Sequence, residues 1–284
     1  MLSTGVDMYS RRREIRAGSE IFCVRGAAEI HALDEGCLVL RADARQSSVR
    51  GREVRLARLD AARVGDPLAV ARGGDRLGAA HGEDCAGRWR TELKVEARLH
   101  DVVSGLPRVV FRHEDAASYT YATGMPPGVA VTELHGRPPL PGRVLHDVLR
   151  GIVLVGRTLE GLHETGRAHR ALRPEVLLAS RDRMWLRDAG LAATRPEAGE
   201  GTDAYRAPEQ MRAGGAAASD VYQLAAIVYH LVTGEAPGAD PLPVARLRPD
   251  WGRLDEPLAA ALHPDPERRS TIDDLIRGLT RADG

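Results

Sequence analysis

Lys94 is the single lysine among 284 residues, and the other 39 of the 40 basic side chains are arginine. Chemistry that needs a lysine therefore has one candidate. Arginine replaces lysine on a surface at little cost, but at a phosphate-binding point a rigid guanidinium fork differs from a compact ammonium. Asp188, in Asp188-Ala189-Gly190, reads on its residues as a turn carboxylate ahead of Gly190 or as one partner of a structural ion pair. His146, His163 and His263 are scattered without metal-ligand spacing. Cys23, Cys37 and Cys85 are odd in number and lack a CxxC spacing, so ordinary reduced thiols and a cytoplasmic location are expected.

Composition narrows the class. Forty basic residues balance forty acidic ones, which argues against nucleic-acid or membrane-surface partners. Hydrophobic residues make up 43% and charged residues 28%, a globular mix. No apolar run approaches the ~20 residues of a membrane span; the best, 221–232, is interrupted by Gln223 and His230. Arg11-Arg12-Arg13 is followed by no apolar core, so no secretion signal is expected.

The elements that must position these residues fall into two halves. Residues 1–28 read as a weakly patterned N-terminal extension. Strands are expected at 29–33 and 38–42, joined by the turn Asp34-Glu35-Gly36, and at 53–59, where apolar and polar residues alternate. Residues 65–87 carry six glycines without periodicity and read as a flexible insertion. Residues 89–102 have mixed helical spacing, and 108–112 and 129–134 look strand-like. Gly136, Pro138, Pro139, Pro141 and Gly142 suggest a hinge at 135–142. Beyond it, apolar residues from Val144 to Leu162 keep i, i+3/i+4 spacing, as do 220–232, stopped by Gly234, and 270–279. The expectation is an α+β chain: a strand-rich N-lobe (29–134), a hinge, and a helical C-lobe (143–284).

Several motifs of the second half occur in a telling order. His169-Arg170-Ala171-Leu172-Arg173-Pro174-Glu175-Val176-Leu177-Leu178 resembles the catalytic loop H-R-D-L-K-P-x-N-x-L of protein kinases. Asp188-Ala189-Gly190 stands in the place of D-F-G. Gly201-Thr202-Asp203-Ala204-Tyr205-Arg206-Ala207-Pro208-Glu209 is similar to the end of an activation segment. Ser219-Asp220-Val221 resembles the start of the central C-lobe helix, and Asp265-Pro266-Glu267-Arg268-Arg269 the late arginine motif. More faintly, 51–57 resembles the third N-lobe strand, and 88–99 the regulatory helix with Glu92 as its ion-pairing glutamate. The chain thus resembles the protein kinase superfamily, of the bacterial Hanks Ser/Thr type, as a degenerate member.

What the resemblance implies is mostly loss. Phosphoryl transfer is positioning plus charge neutralisation. The phosphate-cradling loop corresponds to Asp34-Glu35-Gly36-Cys37, whose acids repel a polyphosphate. The strand lysine corresponds to Ala57, or to Arg58 if the register slips by one, and Arg55 stands where adenine needs a small residue. Lys94, two residues past Glu92, is expected to face solvent. The catalytic aspartate corresponds to Ala171 and the metal-binding asparagine to Val176, so the resemblance leaves Asp188 as the one carboxylate for magnesium, with phosphate and water oxygens completing the shell. Ala189 and Glu96 occupy positions where the family stacks apolar groups. By contrast, the architectural positions His169, Arg170, Tyr205, Glu209, Asp220 and Arg269 are kept, with Glu209 and Arg269 expected to pair and Asp220 to bond the catalytic loop.

Two functions follow as expectations. One is a pseudokinase without cofactor that works as a scaffold or allosteric regulator through a protein partner. The other is a divergent ATP- and magnesium-dependent Ser/Thr kinase or other phosphoryl or nucleotidyl transferase using Asp188, Glu92 and Arg58 or Arg173. Thr202 and Tyr205 could be phosphorylation sites of the activation segment; the resemblance otherwise makes Thr202 part of the substrate-docking turn and Tyr205 an architectural residue.

Overall fold

The computed structural model describes residues 14–34, 37–61, 79–181 and 183–283. They form two compact units, Met1–Asp101 with Pro107–Met125, and Val102–Leu106 with Pro126–Gly284.

The first unit is an antiparallel sheet in the spatial order β1 (Glu14–Ala17), β2 (Glu20–Asp34), β3 (Cys37–Gln46), β4 (Glu53–Ala61), β6 (Ser118–Gly124) and β5 (Val109–Glu114), plus one long helix. Strands β2 (Glu20–Asp34) and β3 (Cys37–Gln46) form the expected hairpin, closing on the Asp34–Cys37 pair; Glu35 and Gly36 lie outside the described residues. Strand β4 (Glu53–Ala61) follows. Because strand side chains alternate between faces, the sheet has two cores. Ile15, Phe22, Leu38, Leu40, Val54 and Leu56 pack on one face. Val39, Ala57, Leu59, Tyr119 and Tyr121 pack on the other, against Leu93 and Ala97 of helix α1 (Ala79–Val102).

The structure corrects two expectations here and adds a strand that the sequence reading omits. Strand β1 (Glu14–Ala17) and the first part of β2 occupy the segment read as an extension; β1 is only four residues long, with Ile15 and Ala17 as its buried pair. Helix α1 begins at Ala79, inside the segment read as a flexible insertion, of which 65–78 lie outside the described residues. Strand β6 (Ser118–Gly124) is central, between β4 and β5 (Val109–Glu114). Its first six residues are buried whichever way they point, so it lacks the alternation by which a half-buried strand is recognised.

The second unit is mainly helical. Helix α2 (Val131–His135) follows the short β7 (Val129–Ala130), which joins β8 (Leu177–Ala179) and β9 (Met184–Leu186) in a small sheet. Helix α3 (Gly142–Glu164) buries the periodic residues Leu145, Leu149, Ile152, Val155, Leu159 and Leu162. At Gly156 an added Cβ would come within 2.7 Å of Ile276, so glycine lets α7 (Ile272–Asp283) approach. Helix α4 (Ala217–Thr233) is almost wholly buried and ends at Gly234, left-handed at φ 91°. The short helices α5 (Val244–Leu247) and α6 (Asp255–Ala261) complete the unit.

The boundary between units falls between Met125 and Pro126, not at 135–142. That stretch lies within the second unit, where the Leu140 N–H donates to the Leu231 carbonyl at 2.9 Å. Two Pro/Gly clusters, 126–128 and 136–142, compete for the linker role in the sequence, and the second is a loop tied to a buried helix. Likewise 131–135 is helix α2 rather than strand, and Glu133 sits in its first turn.

Candidate functional site

In the second unit the loop from His169 to Leu172 is fixed by buried side chains of α4. Asp220, fully buried, accepts the N–H of His169 through Oδ2 at 2.7 Å and that of Arg170 through Oδ1 at 2.6 Å. His163 Nε2 meets the same Oδ2 at 2.8 Å. Gln223 accepts the Leu172 N–H at 3.0 Å and donates to the Arg170 carbonyl at 3.1 Å; Gln210 donates to the same carbonyl at 3.0 Å. These bonds hold Arg170 at φ 63°, a left-handed conformation that a long side chain seldom adopts. Asp220 therefore serves the loop, as expected. It does not cap its own helix: Ser219 Oγ accepts the Ala216 N–H at 3.0 Å.

Arg170 reaches from this loop into the following segment. Its Nη1 lies 2.7 Å from Glu200, both side chains being almost completely buried. Its Nη2 donates to the carbonyls of Leu191 and Thr194. Tyr205 Oη meets His230 Nδ1 at 2.6 Å, and Arg269 pairs with Glu209. The expected architectural residues are thus brought together.

The chemistry-bearing positions look different. Ala171 carries a methyl group on the pinned loop. Val176, in a single turn at Pro174–Val176, is 2% exposed. Asp188 accepts the Gly190 N–H through Oδ1 at 2.9 Å, with His169 Nε2 3.6 Å from the same oxygen. Gly190 is left-handed at φ 58°, and a Cβ there would lie 2.5 Å from the His169 ring. Asp188 is therefore engaged in a tight turn. Arg173 lies 3.7 Å from Glu175.

In the first unit the register of β4 is set by its pairings. Ala57 lies opposite Arg41 of β3 on one side and Tyr121 of β6 on the other, on the face that packs against α1. Arg58 points to the other face, bonding Asp60, Thr120 Oγ1 and the Arg16 carbonyl, so the slipped register is not the one adopted. Arg55 shares the face of Ala57 and is buried there by ion pairs with Asp43 at 3.0 Å and Glu29 at 2.6 Å. Lys94 is half exposed and pairs with Glu114 at 2.7 Å.

A buried ion pair between α1 and the sheet joins residues the sequence did not single out for it. Its carboxylate is Glu96, one turn beyond the half-buried Glu92, and its cation is Arg41. The guanidinium grips both carboxylate oxygens, Nη2 to Oε2 at 2.7 Å, with side chains 11% and 2% exposed. Tyr121 also bonds Glu96. Burial alone would push the Glu96 carboxyl up; the charge and hydrogen bonds of Arg41 override it and hold the group below its usual range. Residues four apart share a helix face, so spacing does not separate Glu92 from Glu96. The signal available was that Glu96 lies in step with Leu93 and His100, both buried.

A two-unit chain with this sheet and helix, this pinned loop and this Glu–Arg tie is a protein kinase-like domain. The kinase domain of Mycobacterium tuberculosis PknI superposes with a TM-score of 0.60 at 22% identity, covering 95% of this chain and 98% of that one. In sequence, the Ser/Thr protein kinase PknL of Mycobacterium tuberculosis is 35% identical over 225 residues, 75% of this chain and 52% of PknL. The DNA damage-responsive Ser/Thr protein kinase RqkA of Deinococcus radiodurans is 36% identical over 120 residues, 39% of this chain and 18% of RqkA. No family model matches the chain. The chain therefore has a protein kinase-like fold, and the curated proteins it resembles in sequence include bacterial Ser/Thr protein kinases. The chain spans about half the length of PknL or less of these curated relatives. Among the described residues, no helix is long and apolar enough to cross a membrane.

Proposed function

We propose that this domain is a pseudokinase, a scaffold or allosteric regulator that acts by binding another protein and does not transfer phosphate. One observation carries the reading: the loop that would do the chemistry is fully built but holds Ala171 and Val176. A methyl group cannot take the proton of a substrate hydroxyl, and a buried isopropyl group cannot ligate a hard cation that demands oxygen. Two features of the first unit support it. Arg55 and Arg41, on the sheet face that packs against α1, are engaged by Glu29, Asp43 and Glu96, carboxylates that oppose a polyphosphate. Position 57 offers no ammonium.

The competing reading is a divergent kinase that uses ATP and magnesium through Asp188 and Glu92, in keeping with the names of its relatives. Transfer of labelled phosphate from ATP, to the chain itself and to a generic basic protein, separates the two. The pseudokinase reading expects no transfer above an Asp188→Ala control. Magnesium-dependent transfer that disappears in that control would establish the enzyme.

A further inference from the structure

We infer that Arg41 and Glu96 form a clamp pinning α1 to its sheet, with the cation supplied from β3, one strand away from position 57. The inference concerns positioning and stands whether or not the domain transfers phosphate.

Three observations carry it. Arg41 and Ala57 are directly opposed across β3 and β4, so their Cβ atoms share one face at ~5 Å. Ala57 packs in one cluster with Leu93 and Ala97, the α1 residues that flank Glu96. A cation rooted at either position therefore addresses the same helix turn. Second, the contact is two-pronged and buried, the geometry in which a guanidinium fork fixes a carboxylate in orientation as well as distance. Third, the surroundings complete the pair. Tyr121, paired with Ala57 from β6, bonds Glu96 as well, and His100, one turn on along α1, is anchored by its Nδ1 to the Pro107 carbonyl at 2.8 Å. Three consecutive strands of the sheet thus converge on one helix turn, and the small Ala57 leaves room for the guanidinium between them.

Relocating the charge tests this on the ligand-free full chain. The variants are Arg41→Ala, Glu96→Gln, the two combined, and Arg41→Ala with Ala57→Lys. The readouts are the melting temperature and hydrogen exchange of the α1 amides. Arg41→Ala leaves a buried carboxylate uncompensated and should lower the melting temperature by ~6 °C or more, with α1 amides losing protection while those of α4 keep theirs. The Arg41→Ala/Glu96→Gln double variant should lose much less than the sum of the singles. Adding Ala57→Lys to Arg41→Ala should recover α1 protection, because the ammonium returns from the opposed position. Additive single effects, unchanged α1 exchange in Arg41→Ala, or no recovery with Ala57→Lys would each overturn the inference. If Arg41→Ala does not fold, the relocated variant decides: folding supports the clamp, and failure to fold refutes the relocation.

Discussion

Arg269 grips Glu209 through both carboxylate oxygens, Nη1 to Oε1 at 2.8 Å and Nη2 to Oε2 at 3.0 Å, although the two are 60 residues apart. The guanidinium also donates to the carbonyls of Ala218 at 2.7 Å and His263 at 3.0 Å and lies over the Tyr222 ring. Its side chain is fully buried, and Glu209 is 19% exposed. Removing one partner of such a pair costs ~3–5 kcal/mol, because the other charge stays uncompensated. Arg269→Ala should lower the melting temperature by several degrees. Arg269→Lys should recover only part of the loss, since an ammonium cannot reproduce the fork. An Arg269→Ala variant that melts like the parent would remove the pair from the account of stability.

Asp220 is the second structural test. Asp220→Ala leaves the buried N–H groups of His169 and Arg170 without their acceptor, at ~1–3 kcal/mol each. Urea unfolding should show a midpoint well below the parent, and Asp220→Asn, which keeps one acceptor oxygen, should fall between them. Equal midpoints for Ala and Asn would mean that the acceptor role is not what Asp220 contributes.

Glu200 ties the segment after the loop to Arg170 and also accepts the Gly215 N–H, by its Oε1 at 2.5 Å. Glu200→Gln removes the charge from a buried pair, so limited trypsin digestion should cut at Arg206 and Arg212 faster than in the parent, with cutting at Arg277 unchanged. A uniform change at all three sites would point to global rather than local loosening.

Nucleotide binding is expected to be absent. Thermal melts with millimolar ATP, with and without magnesium, should not shift, whereas a ligand at 100 times its dissociation constant would stabilise by ~2.7 kcal/mol. A shift abolished by Asp188→Ala would favour the enzyme reading. A shift that survives it would indicate a metal-independent site, and Arg55→Ala would then show whether that arginine obstructs or holds the ligand.

Acid should destabilise the chain through its buried carboxylates. Burial opposes the charged form of Glu20, but the Ser48 hydroxyl and N–H and the Gln46 amide outweigh it and hold the carboxyl at about 2, against 4.5 when unperturbed. Glu96 and Glu209 are lowered as well, their arginine partners overriding the effect of burial. Folded-state values below the unfolded one give stability that is complete above pH 4.5 and lost as pH falls towards 2. The urea midpoint should therefore fall steeply below about pH 4.5, and less steeply in Glu20→Gln. A midpoint that rises with acid in this window would contradict the sign.

The sequence by itself determined the three long helices of the second unit. The motifs after residue 142 are contiguous, and the long helices carry an apolar period that only one face can bury; α3, α4 and α7 lie where that period puts them. It also supplied the identities of Ala171 and Val176, on which the proposed function rests, because identity needs no coordinates. Tertiary structure decided the rest. The linker could not be told from a second Pro/Gly cluster until the pairing of β6 and the packing of Leu140 placed each in its unit. The partner of the helix glutamate could not be read at all, since Arg41 and Glu96 are 55 residues apart. Their meeting depends on which residue of β3 stands opposite Ala57, and on which turn of α1 rests on that pair. Strand register and helix seating are set by the whole buried face at once, so no local spacing encodes them.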